Sequence, residues 1–154
     1  MKQLKQVEAF MEIMGQEMPE TPTIPTDKIR ALRLELVREE NQEIFDSHNL
    51  VDIVDGLCDL LYVTLGTFTA YGFKSELVDE LFSEVQRSNM SKVCKTEEEA
   101  LTTVNRYDLQ GINTHIVRVG EFFAVTRTDK KVLKSINYSE PDLKSILERH
   151  GVKC

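Results

Sequence analysis

One stretch limits what this chain can become: residues 50–71, LVDIVDGLCDLLYVTLGTFTAY, closed by Gly72. Val51, Ile53, Val54, Leu57, Leu60, Leu61, Val63 and Leu65 make it apolar nearly all round, and a helix of that kind is normally buried. It nevertheless carries Asp52, Asp55 and Asp59. Spacings of three and four put those carboxylates on one side of a helix. The preceding helical pattern ends in a second set at the same spacings, Glu39, Glu40 and Glu43. Between the sets, Asp46-Ser47-His48-Asn49 reads as a turn. Folded back antiparallel, the two helices bring two acidic stripes face to face. Like charges at these spacings cost a few tenths of a kcal/mol per pair on one helix, and facing stripes cost more. No Lys or Arg lies between Arg38 and Lys74 to relieve them. Buried carboxylates are rarely left unpaired. A hard divalent cation answers the repulsion: Mg²⁺, with Mn²⁺ as the alternative ion. The ordinary reading of an isolated acidic pair is a solvated face; the second cluster, on so apolar a helix, argues against it.

The remaining composition narrows the class. A chain of 154 residues is expected to form one domain with a real core. Its net charge of −7 and lack of a basic run oppose nucleic-acid binding through phosphates. Residues 57–73 are broken by Asp59, Thr64, Gly66, Thr67 and Thr69, so no membrane span is expected. The start, MKQLKQVEAF, has no signal-peptide apolar run. Cys58, Cys94 and Cys154 are scattered and fit neither a disulfide framework nor a zinc site. A reducing, cytoplasmic location is the expectation, with Cys58 as a small core residue.

Along the chain, Leu4, Val7, Phe10, Met11 and Met14 have helical spacing, and Gly15 can end that helix. Residues 19–26, PETPTIPT, must be extended, with Ile24 as a pin against the helical body. Thr26 or Asp27 caps the next helix, on which Arg30 and Arg33 are expected in solvent. Asn49 caps the long helix. Gly66, Thr67 and Ala70 are small enough for close helix approach and are candidates for a subunit contact. Ser75 caps a helix over 76–87 with Leu77, Val78, Leu81, Phe82 and Val85 inward. Short connections make these four helices a bundle. After Val93 the pattern changes. Residues 96–107 read as a short helix with Thr96 and Glu99 as a capping box. Residues 115–119 and 122–128 read as a hairpin across Gly120-Glu121, and a last helix starts at Pro141-Asp142. The fold class is mainly α: a helical bundle with a small β-hairpin insertion near residues 112–128, inside an α+β insertion over 93–131.

With these segments placed, the chain resembles the all-α nucleoside triphosphate pyrophosphohydrolases, the superfamily of MazG, dimeric dUTPases and phosphoribosyl-ATP pyrophosphohydrolase. It is most similar to the phosphoribosyl-ATP pyrophosphohydrolase-like group of bacteria and phages. The resemblance rests on the entry segment 19–26 with Ile29-Arg-Ala-Leu-Arg-Leu34, on Glu39-Glu40-x-x-Glu43, on residues 50–67, on Glu84-Val-Gln-Arg-Ser-Asn-Met-Ser-Lys92, and on the closing segment Lys134-Ser-Ile-Asn-Tyr-Ser-Glu-Pro-Asp142. It implies metal ligation by Glu40, Glu43, Asp52 and Asp55, with Glu39 as either another metal ligand or the group that orients the attacking water, and Asp59 supporting the site. Asn89 and Lys92 match a segment near the phosphates, which replaces their plainer reading as a helix end. Lys134, Asn137 and Tyr138 are implied substrate contacts, closing over the nucleotide from this chain or from a partner chain. Two departures stand out: only eight residues separate Glu43 from Asp52, and Asp52 stands where the family commonly has Glu.

The implied activity is Mg²⁺-dependent cleavage of a nucleoside triphosphate between the α- and β-phosphates, in a homodimer or higher homo-oligomer. The alternatives are phosphoribosyl-ATP as substrate, or a non-catalytic metal-binding helical module.

Overall fold

The computed structural model describes residues 1–153, so Cys154 lies outside the described residues. In chain order the elements are α1 (Lys2–Ile13), α2 (Asp27–Asp46), α3 (Leu50–Ala70), α4 (Ser75–Met90), α5 (Glu97–Asp108), β1 (Thr114–Val119), β2 (Phe122–Arg127) and α6 (Leu143–Arg149). The architecture is mainly helical with one antiparallel hairpin, as the patterning implied. Two compact units divide it: residues Met1–Glu80 with the last stretch from Ile146, and residues Leu81–Ser145.

Local chemistry sets most boundaries of the first unit. Thr26 Oγ1 accepts from Ile29 N at α2, and Asn49 Oδ1 accepts from both Val51 N and Asp52 N at α3. Each side chain satisfies donors that the first turn leaves free. Gly15 and Gly72 stand just past α1 and α3 with positive φ, the left-handed conformation that ends helices. Leu4, Val7 and Met11 form the buried stripe of α1, packed with Leu65, Ala70 and Val78. Gly66 makes that closeness possible: a Cβ there would stand 3.5 Å from Val7 Cγ1 and 3.1 Å from an Arg33 guanidinium nitrogen.

The first unit corrects several expectations. Arg33 is buried, not solvated; its guanidinium donates to Gln16 Oε1 at 2.7 Å, and its Nε has no partner among the described residues. Burial lowers its pKa. Arg30 is exposed and pairs with Asp27 at 2.9 Å. Gly66 and Ala70 are buried inside their own chain and are not free for a partner. Ile24 is 77% exposed and pins nothing. Cys58 is exposed, so it is no core residue. Ser75 is the first residue of α4 rather than its cap, and its hydroxyl donates to Met1 O at 3.2 Å.

The second unit holds the rest of α4, α5, the hairpin and the closing segment. Phe82 is exposed rather than inward. β1 and β2 pair in register from Thr114↔Arg127 to Val119↔Phe122. Cys94, Ala100 and Val125 form its core, with Val104, Phe123 and Leu133 around them. Thr96 caps α5 as expected, accepting from Glu99 N at 3.2 Å. The reciprocal bond of the capping box is shifted by one residue: Glu99 Oε2 accepts from Lys95 N at 2.7 Å.

Candidate active site

The α2–α3 pair carries the site, and two close approaches define its register. A Cβ on Gly56 would meet Ile44 Cγ1 at 2.8 Å, and one on Gly66 would meet Arg33 at 3.1 Å. The earlier residue of α2 lies by the later residue of α3, so the helices are antiparallel. In this register Glu40 comes opposite Asp59, and Glu43 comes opposite Gly56.

Rotation then decides the side. Glu43 immediately precedes the contact residue Ile44, and Asp55 immediately precedes Gly56. Each is turned about 100° from the contact line, and in an antiparallel pair the same sense of rotation carries both to one side. Glu40 and Asp59 sit nearer the line on that side. Leu57, Thr64 and Phe68 fall on the other. The two acidic stripes therefore share one side of the pair, the expected juxtaposition. The missing side chain at Gly56 is what brings the stripes close.

Electrostatics reports the same gathering. The Glu40 carboxyl is held above the ordinary glutamate range, first by desolvation, then by the charges of Glu43, Asp59, Glu39 and Asp55. Arg38, the nearest cation in sequence, lines the same groove and feels the charge of Glu39, but its guanidinium is bound twice by Glu35, at 2.6 and 3.0 Å. Asp52 lines a groove of about 400 Å³ with Arg38, Glu39 and Glu43, and Asn49 Nδ2 donates to its carboxylate at 2.5 Å. Asn49 thus caps α3 and orients Asp52 together, a role visible in sequence only as the spacing Asn-x-x-Asp.

The reason for expecting a cation is corrected. Asp52, Asp55 and Asp59 are exposed, as are Val51, Val54 and Leu57 of the same helix, so burial within this chain does not force the carboxylates to find a cation. Among the described residues no three His, Cys, Asp or Glu side chains meet closely enough to hold a metal ion. The donors that are gathered are all carboxylate oxygens, the chemistry that suits Mg²⁺ or Mn²⁺ rather than a soft metal. By donor type the residues fit.

The second unit positions the other candidates. Asn89 lies in the last turn of α4, and Lys92 Nζ donates to its Oδ1 at 2.7 Å. Lys134 Nζ stands 4.1 Å from the centre of the Tyr138 ring and 3.6 Å from Glu140. Asn137 lines a cavity of about 390 Å³ with Ser91, Met90 and Lys95. Sequence reasoning missed Glu84, which accepts from Nε and Nη2 of Arg87 and from the Asp142 N–H. Those bonds, led by Arg87, hold its pKa at about 2.

An antiparallel helix pair with acidic residues opposed on one side fits the metal site that the resemblance to the all-α pyrophosphohydrolases implies. Residues 7–89 match the family model for phosphoribosyl-ATP pyrophosphohydrolase, and the chain belongs to that family. All six acidic site candidates fall inside the matched residues, and α5, the hairpin and the closing segment fall outside them. The chain is also 29% identical over 126 residues to a protein of Acanthamoeba polyphaga mimivirus described as uncharacterized; the match covers 73% of this chain and 50% of the relative. The chain thus spans about half the length of that viral relative.

Proposed function

We propose that the protein is a Mg²⁺-dependent nucleoside triphosphate pyrophosphohydrolase that yields a nucleoside monophosphate and pyrophosphate. The observation that carries this reading is the opposition of Glu40 and Glu43 to Asp55 and Asp59 on one side of the α2–α3 pair. Glu40, Glu43, Asp52 and Asp55 would hold the ion, and Asp59 would support Glu40. When bound, Mg²⁺ neutralises triphosphate charge and lowers the pKa of a water. Glu39, exposed and lining the same groove, would orient the attacking water toward the α-phosphorus. Lys92, Lys134, Asn89 and Asn137 supply donors to the substrate, and Tyr138 a ring for stacking. The net charge of −7 is no obstacle, since a bound ion reverses the local field. Such an enzyme would work in the cytoplasm, where nucleotides are made. The second reading, phosphoribosyl-ATP as substrate, is favoured by the description of the matching family.

Pyrophosphate release from a panel of nucleoside triphosphates, deoxynucleoside triphosphates and phosphoribosyl-ATP, with Mg²⁺ and with EDTA, tests both. Metal-dependent release from a nucleoside triphosphate, with monophosphate as co-product, is the expected result. Release from phosphoribosyl-ATP alone selects the second reading, and release from none refutes the hydrolase.

We also propose a homodimer formed through the side of the α2–α3 pair away from the carboxylates. Leu34, Phe45, Leu57 and Leu61 are more than half exposed there. Beside them Val37, Phe68, Tyr71 and Phe73 line a groove of about 360 Å³. A stable interface covers roughly 800 Å² per partner. Sedimentation velocity is expected to give a dimer, and Leu57→Lys a monomer with unchanged helicity; a monomeric parent protein refutes this.

A further inference from the structure

The closing segment has no regular structure over residues 133–142, yet it is tied down along its length. Ile136 N donates to Thr103 Oγ1 at 3.1 Å, and the Tyr107 hydroxyl donates to Lys134 O at 3.1 Å. Arg106 donates to the same carbonyl. Just past α4, Ser91 O accepts from Ser135 Oγ at 2.8 Å, and Ser91 Oγ accepts from Ser139 N at 2.9 Å. Arg87 donates to Glu140 O at 2.9 Å. Inside the segment, Asn137 N donates to Ser135 Oγ at 3.0 Å. Thr103 and Ser135 have no exposed surface at all.

Ordering a free loop costs about 1–2 kcal/mol per residue. A ligand that must order its own contacts binds correspondingly more weakly. Here the ordering is already done, and three of the restraints, from Thr103, Arg106 and Tyr107, come from α5, which lies outside the matched family residues.

We propose that α5 serves the active chemistry as a clamp: Thr103 and Tyr107 are positioning residues that hold Lys134, Asn137 and Tyr138 in their substrate-binding conformation. This rests on the substrate role given to those three residues above. Thr103 has no exposed surface to offer a substrate, and the Tyr107 hydroxyl proton is committed to Lys134 O. Thr103 is suited to the task because its hydroxyl donates to Glu99 O at 2.7 Å while accepting from Ile136 N. Valine has the same shape and cannot accept, so Thr103→Val leaves the Ile136 N–H without its partner.

The test pairs steady-state kinetics with amide hydrogen exchange over residues 134–139. For Thr103→Val, loss of one buried acceptor predicts a KM raised about tenfold with kcat within about twofold, and exchange at Ile136 and Asn137 faster by a similar factor. Thr103→Ser should restore both. Tyr107→Phe, at a half-buried position outside the core, should move both the same way by less, and it decides the matter if Thr103→Val does not fold. Wild-type KM in variants whose loop exchanges faster overturns the clamp, and so does wild-type exchange in both variants. Absence of turnover on every nucleotide would instead overturn the hydrolase reading, and exchange alone would then decide whether α5 holds the segment.

Discussion

Glu40→Gln is expected to abolish metal-dependent pyrophosphate release, by at least about 100-fold in kcat/KM, while leaving the fold intact. The change keeps the shape of the side chain and removes the charge at the centre of the cluster. The metal-free stability should move the other way. The Glu40 pKa is raised in the folded chain, by desolvation first and by Glu43, Asp59, Glu39 and Asp55 after it. A raised carboxyl favours folding below the unfolded value, about 4.3, and that contribution is lost as pH rises through the folded value. Wild-type protein in EDTA should therefore lose stability relative to Glu40→Gln as pH rises from the unfolded value through the folded one. Mg²⁺ should raise the wild-type Tm at neutral pH, by mass action on the folded state alone, and raise the variant's less. Thermal melts at several pH values, with and without Mg²⁺, read all of this. A variant that keeps turnover within twofold would refute the assignment of Glu40.

Gly72→Ala is expected to be the most damaging small change in the chain. Gly72 ends α3 with φ +80 and is buried, and a Cβ there would stand 2.4 Å from Thr21 O and 2.8 Å from Thr21 C. The left-handed conformation costs an alanine about 1–2 kcal/mol. The clash is with backbone, which cannot swing aside, so the total should be on the order of 3–4 kcal/mol. For a chain of this size that is roughly 6–16 °C in Tm. Gly120→Ala is the control: φ is +60, but nothing lies within 4 Å, so only the conformational cost applies. The clash also reports a functional link. Thr23 N donates to Tyr71 O at 2.9 Å, and the entry segment held there leads directly into Thr26 and α2. Equal Tm losses in the two variants would show that the Thr21 contact does not matter.

Much of the site is legible in the amino-acid sequence because its determinants are local. Spacings of three and four put Glu40 with Glu43 and Asp55 with Asp59 whatever surrounds the helices. Asn49, Thr26, Gly15 and Gly72 act on donors and dihedrals within a turn of themselves. The expectations that fail depend on packing between elements. Residues 50–71 look buried because they are apolar nearly all round, yet one chain covers only the sides facing α1 and α2, and Leu50, Val51, Val54 and Leu57 stay exposed. Arg33 looks like a solvated cation because nothing in its neighbours announces that Met11, Gln16 and Gly66 will close over it.

The sequence by itself determined that two helices would each carry an acidic stripe, where those helices begin and end, and that a hairpin would follow, because hydrogen bonding and steric preference act over a few residues. Only the tertiary structure decided that the stripes share one side of the pair, since that depends on which residue of α3 touches α2; the absent side chain of Gly56 against Ile44 settles it. Only it decided that Gly66 serves α1 and Arg33 rather than a partner. It alone joined Thr103 to Ile136 and Tyr107 to Lys134, contacts between residues about 30 positions apart, where no short-range preference operates.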